Sequence, residues 1–545
     1  MAMASEIVKK ILLKRGVPES EHEAFLNPDY VATSHDPFLL PDMQVAVNRI
    51  VTAYDNNESV VIYGDYDVDG MTATTILRDA LMAFGLRVET YTPDRFTEGY
   101  GLNMSAMRAL AKTDASLVIT VDCGSLSHEE IEVAGKLGLD VIITDHHAVA
   151  KDMPTAVAVI NPHRPDSKYP FADLAGCGVA FKLVQALQTK LDGLPLGQEK
   201  WLLDFVALGT VCDIVPLLDE NRAMVRWGLE VLRKTRRPGL RALMSVIDVL
   251  PTEVNARTIG YMIGPRLNAA GRISTAKSAL ELLTTDGNQR ALELAQKLDS
   301  LNSARRTEQD KIFTVACEKL GQPKDSVIIV GDDGWNEGVI GIVASKIMEK
   351  YGKPTFVLSI NGDKVKGSGR SFGDFNLAEA IAETKKYLEK GGGHAAAGGV
   401  TLVTDNIDSW TTALNEYYKK LNLKDQAKYL LPTEDVAEDS LSEINIDLIN
   451  DLSKLEPFGM ANEQPVFRLR NMTAKYVDRM GKKNEHLRLN LLDKEGNSMK
   501  LIAFSPPENW FIEPGSAVDI WAHLELNEWQ GRQSVEGRIL RLELS

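Results

Sequence analysis

SVVIYGDYDVDG (59–70) joins a near-continuous apolar run to three acids at alternate positions, Asp65, Asp67 and Asp69. A short β-branched run bounded by Gly and Asp reads as a strand covered on both faces, which places it in a parallel sheet. Four similar runs follow, separated by helix-forming stretches: LRVETYTPD (86–94), SLVITVD (116–122), LDVIITD (139–145) and AVAVIN (156–161). The alternation predicts an α/β domain over residues 46–215.

Outward from that domain the pattern changes. Residues 1–45 read as a short helical arm punctuated by Pro18, Pro28, Pro37 and Pro41. Residues 216–325 lack strand runs and predict a long helical connector, interrupted near Gly287. A second, smaller α/β unit is expected at 326–425, with strands SVIIVGD (326–332) and PTFVLSI (354–360) and the glycine run GGGHAAAGG (391–399). The polar, acidic stretch 426–456 reads as a linker, and the short alternating segments of 457–545 predict a small β-barrel.

A chain of 545 residues with 44% hydrophobic and 25% charged residues is ordinary globular composition. With 61 Lys and Arg against 76 Asp and Glu, the formal charge is −15, so a polyanion would have to be met by a local basic patch. The four cysteines form no CxxC pair, and neither a leader peptide nor an apolar run long enough to span a membrane is visible. A cytoplasmic protein without membrane attachment is expected.

Chemistry enters where acids and histidines fall relative to the strands. Asp65, Asp67 and Asp69 follow the first run, Asp122 and Asp145 end the third and fourth, His146 and His147 come next, and Asp213 closes ALGTVCDIVPL. Ligands of open parallel sheets bind beyond the carboxyl ends of the strands, so these residues can meet in one crevice. Carboxylates so gathered repel one another unless cations are present. Two divalent ions would relieve them, and oxygen donors mixed with imidazole, without thiolate, suit Mn²⁺ or Mg²⁺, with imidazole favouring Mn²⁺. Paired metals of this kind hydrolyse phosphate esters.

GDYDVDG (64–70), VDCG (121–124), TDHH (144–147) and ALGTVCD (207–213), in that order, resemble the four motifs of the DHH phosphoesterase family. GRSFGDFNL (369–377) and GGGHAAAGG resemble its DHH-associated domain. RFTEGYG (95–101), GPRLNAAGR (264–272), GWNEGVIGIVASKI (334–347) and LEPFGMANEQPVF (455–467) resemble the branch that degrades single-stranded DNA from the 5′ end. The resemblance implies that Asp67, Asp69, Asp122, His146 and Asp213 hold two metals, with Asp122 bridging and Asp65 a ligand or close neighbour. It implies that His147 serves the scissile phosphate and that Asp145 orients a histidine. Arg95, Arg266, Arg272, Arg370 and Ser371 are the expected phosphate contacts, and Gly391, Gly392 and Gly393 would admit the strand beside His394.

The final module becomes an oligonucleotide-binding fold on the same resemblance. Its segment 470–500 holds eight Lys or Arg against four Asp or Glu, and Tyr476, Phe504, Trp521 and Trp529 are available for stacking or for the barrel core. RKTRRPGLR (233–241) reads equally as a DNA contact or a solvated face. Partners implied by the family are single-stranded DNA, a single-strand-binding protein and a RecQ-type helicase, with a monomer sufficing. Two rival readings are a DHH enzyme of short oligoribonucleotides, nucleoside bisphosphates or cyclic dinucleotides, and a catalytically silent DNA-binding scaffold. The third domain argues against the first rival, and the retained acids and histidines argue against the second.

Overall fold

All six residues of the first run are buried, as a strand with no polar face must be. The computed structural model describes residues 5–545 apart from Phe96, Tyr100 and Asp425, and only the backbone of Ala427 and Trp529. Met1 to Ala4 of the expected arm, Phe96 and Tyr100 of the 95–101 motif, and the Trp529 ring therefore lie outside the described residues.

The run is β1 (Ser59–Gly64), which shares a sheet with β2 (Arg87–Tyr91), β3 (Ala115–Val121), β4 (Asp140–Thr144) and β5 (Ala158–Ile160). The order is β2-β1-β3-β4-β5 and every pairing is parallel. The chain moves outward from β1 to β2 and then returns to lay β3 on the other side of β1. Such a reversal opens a crevice beyond the carboxyl ends of the two central strands.

The second α/β domain has β6 (Ile328–Asp333), β7 (Thr355–Asn361), β8 (Lys364–Arg370), β9 (Lys390–Gly393) and β10 (Ala397–Val403), in the order β6-β7-β8-β10-β9. Only β6 and β7 run parallel. Phe356 and Trp410 meet edge to face at 4.9 Å in its core. Between the domains, the helix Lys277–Thr284 gives way at Gly287 to a helix of 33 residues, Asn288–Leu320. Residues 36–213 and 228–430 form one compact unit, which thus holds both α/β domains and this connector.

The other unit gathers three pieces of chain: the residues up to His35, Ile214–Trp227 and Leu431–Ser545. Its strands are β11 (Val436–Glu438), β12 (Phe467–Met480), β13 (His486–Leu492), β14 (Ser498–Ala503), β15 (Ala517–Trp529) and β16 (Arg532–Leu544). The order β11-β12-β13-β14-β16-β15, with β12 also pairing β15, closes β12 to β16 into a barrel. The helix Glu6–Lys14 buries Ile7, Val8, Ile11 and Leu12 in the barrel's core cluster. Within the stretch 426–456, read from sequence as linker, residues 431–456 carry β11 and the helix Ile446–Ser453, whose Leu448, Ile449 and Leu452 join the same cluster. Arg222 is buried there, over the Phe25 ring, and donates to the carbonyls of Phe25, Lys454 and Leu455. Among the described residues no helix is long and apolar enough to cross a membrane.

Candidate active site

The acids converge because each stands at the end of an element that points into the crevice. Asp65 follows β1, and Asp67 caps the helix Val68–Phe84, accepting from the Gly70 N–H at 3.0 Å. Asp69, in the first turn of that helix, accepts from the Gly176 and Cys177 amides at 2.6 and 2.9 Å. Its carboxylate therefore caps the helix Gly176–Leu187, whose own N-cap residue, Ala175, has no side-chain acceptor. Asp122 follows β3 in the left-handed region, at φ 60°, which turns it back over the strand ends. Asp213 is the last residue of the helix Leu203–Asp213.

These placements produce three overlapping groups whose donor atoms lie within 4.8 Å of one another: Asp65, Asp67 and Asp122; Asp69, His146 and Asp213; Asp122, His146 and His147. Asp122 and His146 each belong to two of them. His146 Nε2 lies 3.1 Å from Asp122 Oδ1, 3.5 Å from Asp213 Oδ2 and 3.8 Å from Asp69 Oδ2. Glycines allow this approach: a Cβ on Gly176 would stand 2.7 Å from the Asp122 Cβ, and one on Gly70 would stand 2.8 Å from the Asp65 Cα.

The electrostatics call for cations. Burial and the neighbouring Asp67 push Asp65 well above the usual carboxylate range, and burial with Asp69 does the same to Asp122. Burial, Asp69 and Asp67 raise Asp213 to about 8. Burial keeps His146 neutral by lowering its pKa, the form in which imidazole binds a metal. The Asp65 Oδ1 is buried with no hydrogen-bond partner among the described residues. An orphaned carboxylate oxygen inside a hard oxygen and imidazole donor set fits a pair of divalent ions of the Mn²⁺ or Mg²⁺ class.

His147 has a different environment. Burial would lower its pKa, but Asp145 Oδ1, 2.9 Å from Nδ1, raises it to about 9. The imidazolium is thus a cationic donor. Asp145 stays well below the usual range despite its burial, because it accepts from His147 and from the amides of Ser125, His146 and His147. Reading the sequence missed Asn161, which is fully buried after β5 and donates to Ser125 Oγ and the His147 carbonyl, both at 2.9 Å. Its position at the end of AVAVIN was the available signal, since it repeats that of Asp65, Asp122 and Asp145.

The arginines sort into two sets. Arg95 lies 5.2 Å above the Tyr66 ring, close enough to act on Asp65. Arg272 is brought down to about 10 by burial and by the charges of Arg95 and Arg305, with Asp67 and Arg370 also near. Its Nη1 donates to the Gly338 carbonyl at 3.1 Å. Arg95 and Arg272 therefore stand near Asp65 and Asp67, and Arg370 stands near Arg272. The loop bearing Arg95 is pinned by Glu98, another residue sequence reading missed, which accepts from Tyr91 Oη, the Asp94 amide and Asn103 Nδ2. Arg266 is held by Asp299 at 2.8 Å and by the Met262 carbonyl.

Arg370 closes β8 and donates to Ser368 Oγ and the Gly369 carbonyl, while the Ser371 hydroxyl donates to the Phe375 carbonyl. His394 is exposed at the tip of the β9–β10 hairpin. A Cβ on Gly392 would meet nothing within 4 Å, whereas one on Gly393, at φ +149°, would stand 2.3 Å from the Ala397 carbonyl oxygen. In the 233–241 stretch, Arg233 donates to the Val254 carbonyl and Arg237 bridges Asp204 and Asp79, so both are tied into the fold. In the barrel, Tyr476 and Phe504 are 58% and 64% exposed, while Trp521 is buried under Arg468.

A doubly wound parallel sheet with this cluster at its switch point, followed by a second α/β domain, is the architecture of the DHH phosphoesterases. Family models agree: "DHH family, N-terminal domain" matches residues 59–210, "DHHA1 domain" 324–420 and "RecJ OB domain" 437–540. The single-stranded-DNA-specific exonuclease RecJ of Bacillus subtilis is 38% identical over 533 residues, covering 97% of this chain and 66% of that protein. The protein of the same name from Dickeya dadantii is 33% identical over 524 residues, covering 91% of this chain and 90% of the relative. The crystal structure of RecJ in complex with Mn²⁺ from Thermus thermophilus superposes with a TM-score of 0.82 at 28% identity, covering 99% of this chain and 76% of that one. The chain belongs to the RecJ family.

Proposed function

We propose that this protein is a metal-dependent exonuclease that hydrolyses single-stranded DNA from the 5′ end to mononucleotides, acting in DNA recombination and repair. The observation that carries the reading is the set of carboxylates and histidines whose donor atoms lie within 4.8 Å of one another, with Arg95 over the adjoining Tyr66 ring as a phosphate grip. Asp65, Asp67, Asp69, Asp122, His146 and Asp213 would hold two divalent ions, Mn²⁺ in preference to Mg²⁺. Such ions, when bound, lower the pKa of a water and stabilise the departing oxygen.

The chain's own residues then have distinct tasks. His147, charged and oriented by Asp145, donates to a non-bridging oxygen of the scissile phosphate. Asp122, shared between two donor groups, fixes the spacing of the centre, and neutral His146 supplies a nitrogen to it. Arg95, Arg266, Arg272, Arg370 and Ser371 hold phosphates of the strand, and Gly392, Gly393 and His394 line its way in. The exposed Tyr476 and Phe504 give the barrel faces on which bases stack. A cytoplasmic monomer working beside a single-strand-binding protein and a RecQ-type helicase completes the reading.

The test is degradation of 5′-labelled and 3′-labelled single strands with Mn²⁺, Mg²⁺ or chelator, alongside Asp122→Ala. Immediate release of the 5′ label as mononucleotide, abolished by chelator and by the substitution, is expected. Cleavage confined to dinucleotides or cyclic dinucleotides would overturn the substrate, and binding without hydrolysis would overturn the enzyme.

A further inference from the structure

The Asn288–Leu320 helix sets Asp299, Asn302, Arg305 and Gln309 at the spacing that puts residues on one face. Asn302 and Gln309 are buried and Arg305 is half-buried. The face turns towards the helix Gly264–Ile273, since Asp299 takes the hydrogen bond from Arg266.

Two polar groups on it are left over. The Arg305 Nε and the Asn302 Oδ1 are buried without a hydrogen-bond partner among the described residues. Arg305 also forms no ion pair with a described carboxylate. Burial and the like charges of Arg306 and Arg266 hold its pKa below the ordinary arginine value, against the opposing pull of Asp310. Arg305 in turn is one of the charges that lower Arg272. A guanidinium taken from water and set among other guanidiniums is unfavourable unless a counter-charge arrives. Asp310, which acts on Arg305, is itself paired with Lys346 at 2.9 Å, and Asp299 is taken up by Arg266, so a full counter-charge is left for a ligand phosphate to supply.

We infer that Arg305 is a further phosphate-binding residue, taking a strand phosphate that adjoins the one gripped by Arg95, Arg272 and Arg370. The inference rests on the cleft being a site for single-stranded DNA. It extends the grip onto a rigid helix that lies outside every motif quoted above, so its register relative to the metal centre is set by packing rather than by a loop.

The test is fluorescence anisotropy of a labelled single-stranded oligonucleotide in chelator, so that nothing is cleaved, across a series of salt concentrations. Each phosphate contact on a single strand contributes about 0.7 to the slope of log K against log salt. Arg305→Gln should flatten the slope by about that amount and raise KM about tenfold. With metal restored and saturating DNA, kcat should stay within about twofold of wild type. Arg305→Lys, which keeps the charge, should recover the slope.

A merely structural arginine would lower the melting temperature and leave the slope intact, and an unchanged slope in Arg305→Gln would overturn the inference alone. A wild-type protein that leaves single strands unbound would overturn the functional reading and this inference with it. If Arg305→Gln does not fold, Arg305→Met removes the same charge with more apolar packing and carries the same readout.

Discussion

Asp145 shows how one side chain can set the chemistry of two others without touching the reaction. Its carboxylate takes the amides of His146 and His147 as well as the His147 ring, so it fixes the backbone of both histidines and keeps the His147 ring charged. Asp145→Asn should lower kcat by about 10- to 100-fold, the usual cost of losing a partner that orients a site residue. Steady-state kinetics with a circular dichroism check of folding would decide it; unchanged kcat in a folded variant would remove His147 from its assigned task. Residues of this kind were legible because strand-terminal acids and the HH pair stand out against apolar runs. Glu98 was not, because its value lies in three hydrogen bonds closed across a loop, and no spacing rule records those.

Elements show a sharper contrast. β1, β3 and β4 could be read from their apolar runs, whereas β8, KVKGSGR, could not. A Cβ on Gly367 would stand 2.6 Å from Leu358 Cδ2 and one on Gly369 would stand 2.4 Å from Phe356 Cε1, so neighbouring strands fill the space that side chains of β8 would need. The hydrophobic pattern of that strand is borrowed, which leaves its own sequence blank.

Close packing of the same sort makes Gly176→Ala informative at the metal centre. Its methyl would press on Asp122, so Mn²⁺ affinity by titration calorimetry should fall, with the fold retained. In the β13–β14 turn, burial would raise the Asp493 pKa, but donors from Leu441, Asn497 and Glu495 bring it down to about 2. A depressed folded pKa contributes stability above about pH 4, the unfolded value, and loses it as pH falls towards 2. Asp493→Asn should cost about 1–3 kcal/mol at pH 7, and less at pH 3, in urea denaturation.

Across the whole molecule, stability is tied to charge compensation and to how the chain is threaded. Gathering so many carboxylates in one crevice is unfavourable, so Mn²⁺ at about 100 times its Kd should stabilise the folded protein by about 2.7 kcal/mol. Differential scanning calorimetry with Mn²⁺ and with chelator would show it, and Asp122→Ala should erase the difference. Arg222 is the corresponding device in the barrel unit, drawing residues from all three pieces of chain together. Arg222→Met should destabilise that unit by roughly 3 kcal/mol, since it strands three buried carbonyls. Its melting transition would report this. What the arm packs against was not legible at this scale, because Ile7, Val8, Ile11 and Leu12 find their partners more than 400 residues away, and local pattern carries no sign of so distant a partner.

The same threading imposes an order on birth. The Glu6–Lys14 helix leaves the ribosome more than 400 residues ahead of the strands that cover its apolar face, which begin at Val436. At ordinary elongation rates of about 5–20 residues per second, that greasy surface waits roughly 20–90 seconds for its cover. During that interval the nascent chain offers a ready hold for chaperones, and any stop codon placed before the barrel leaves that hold permanent.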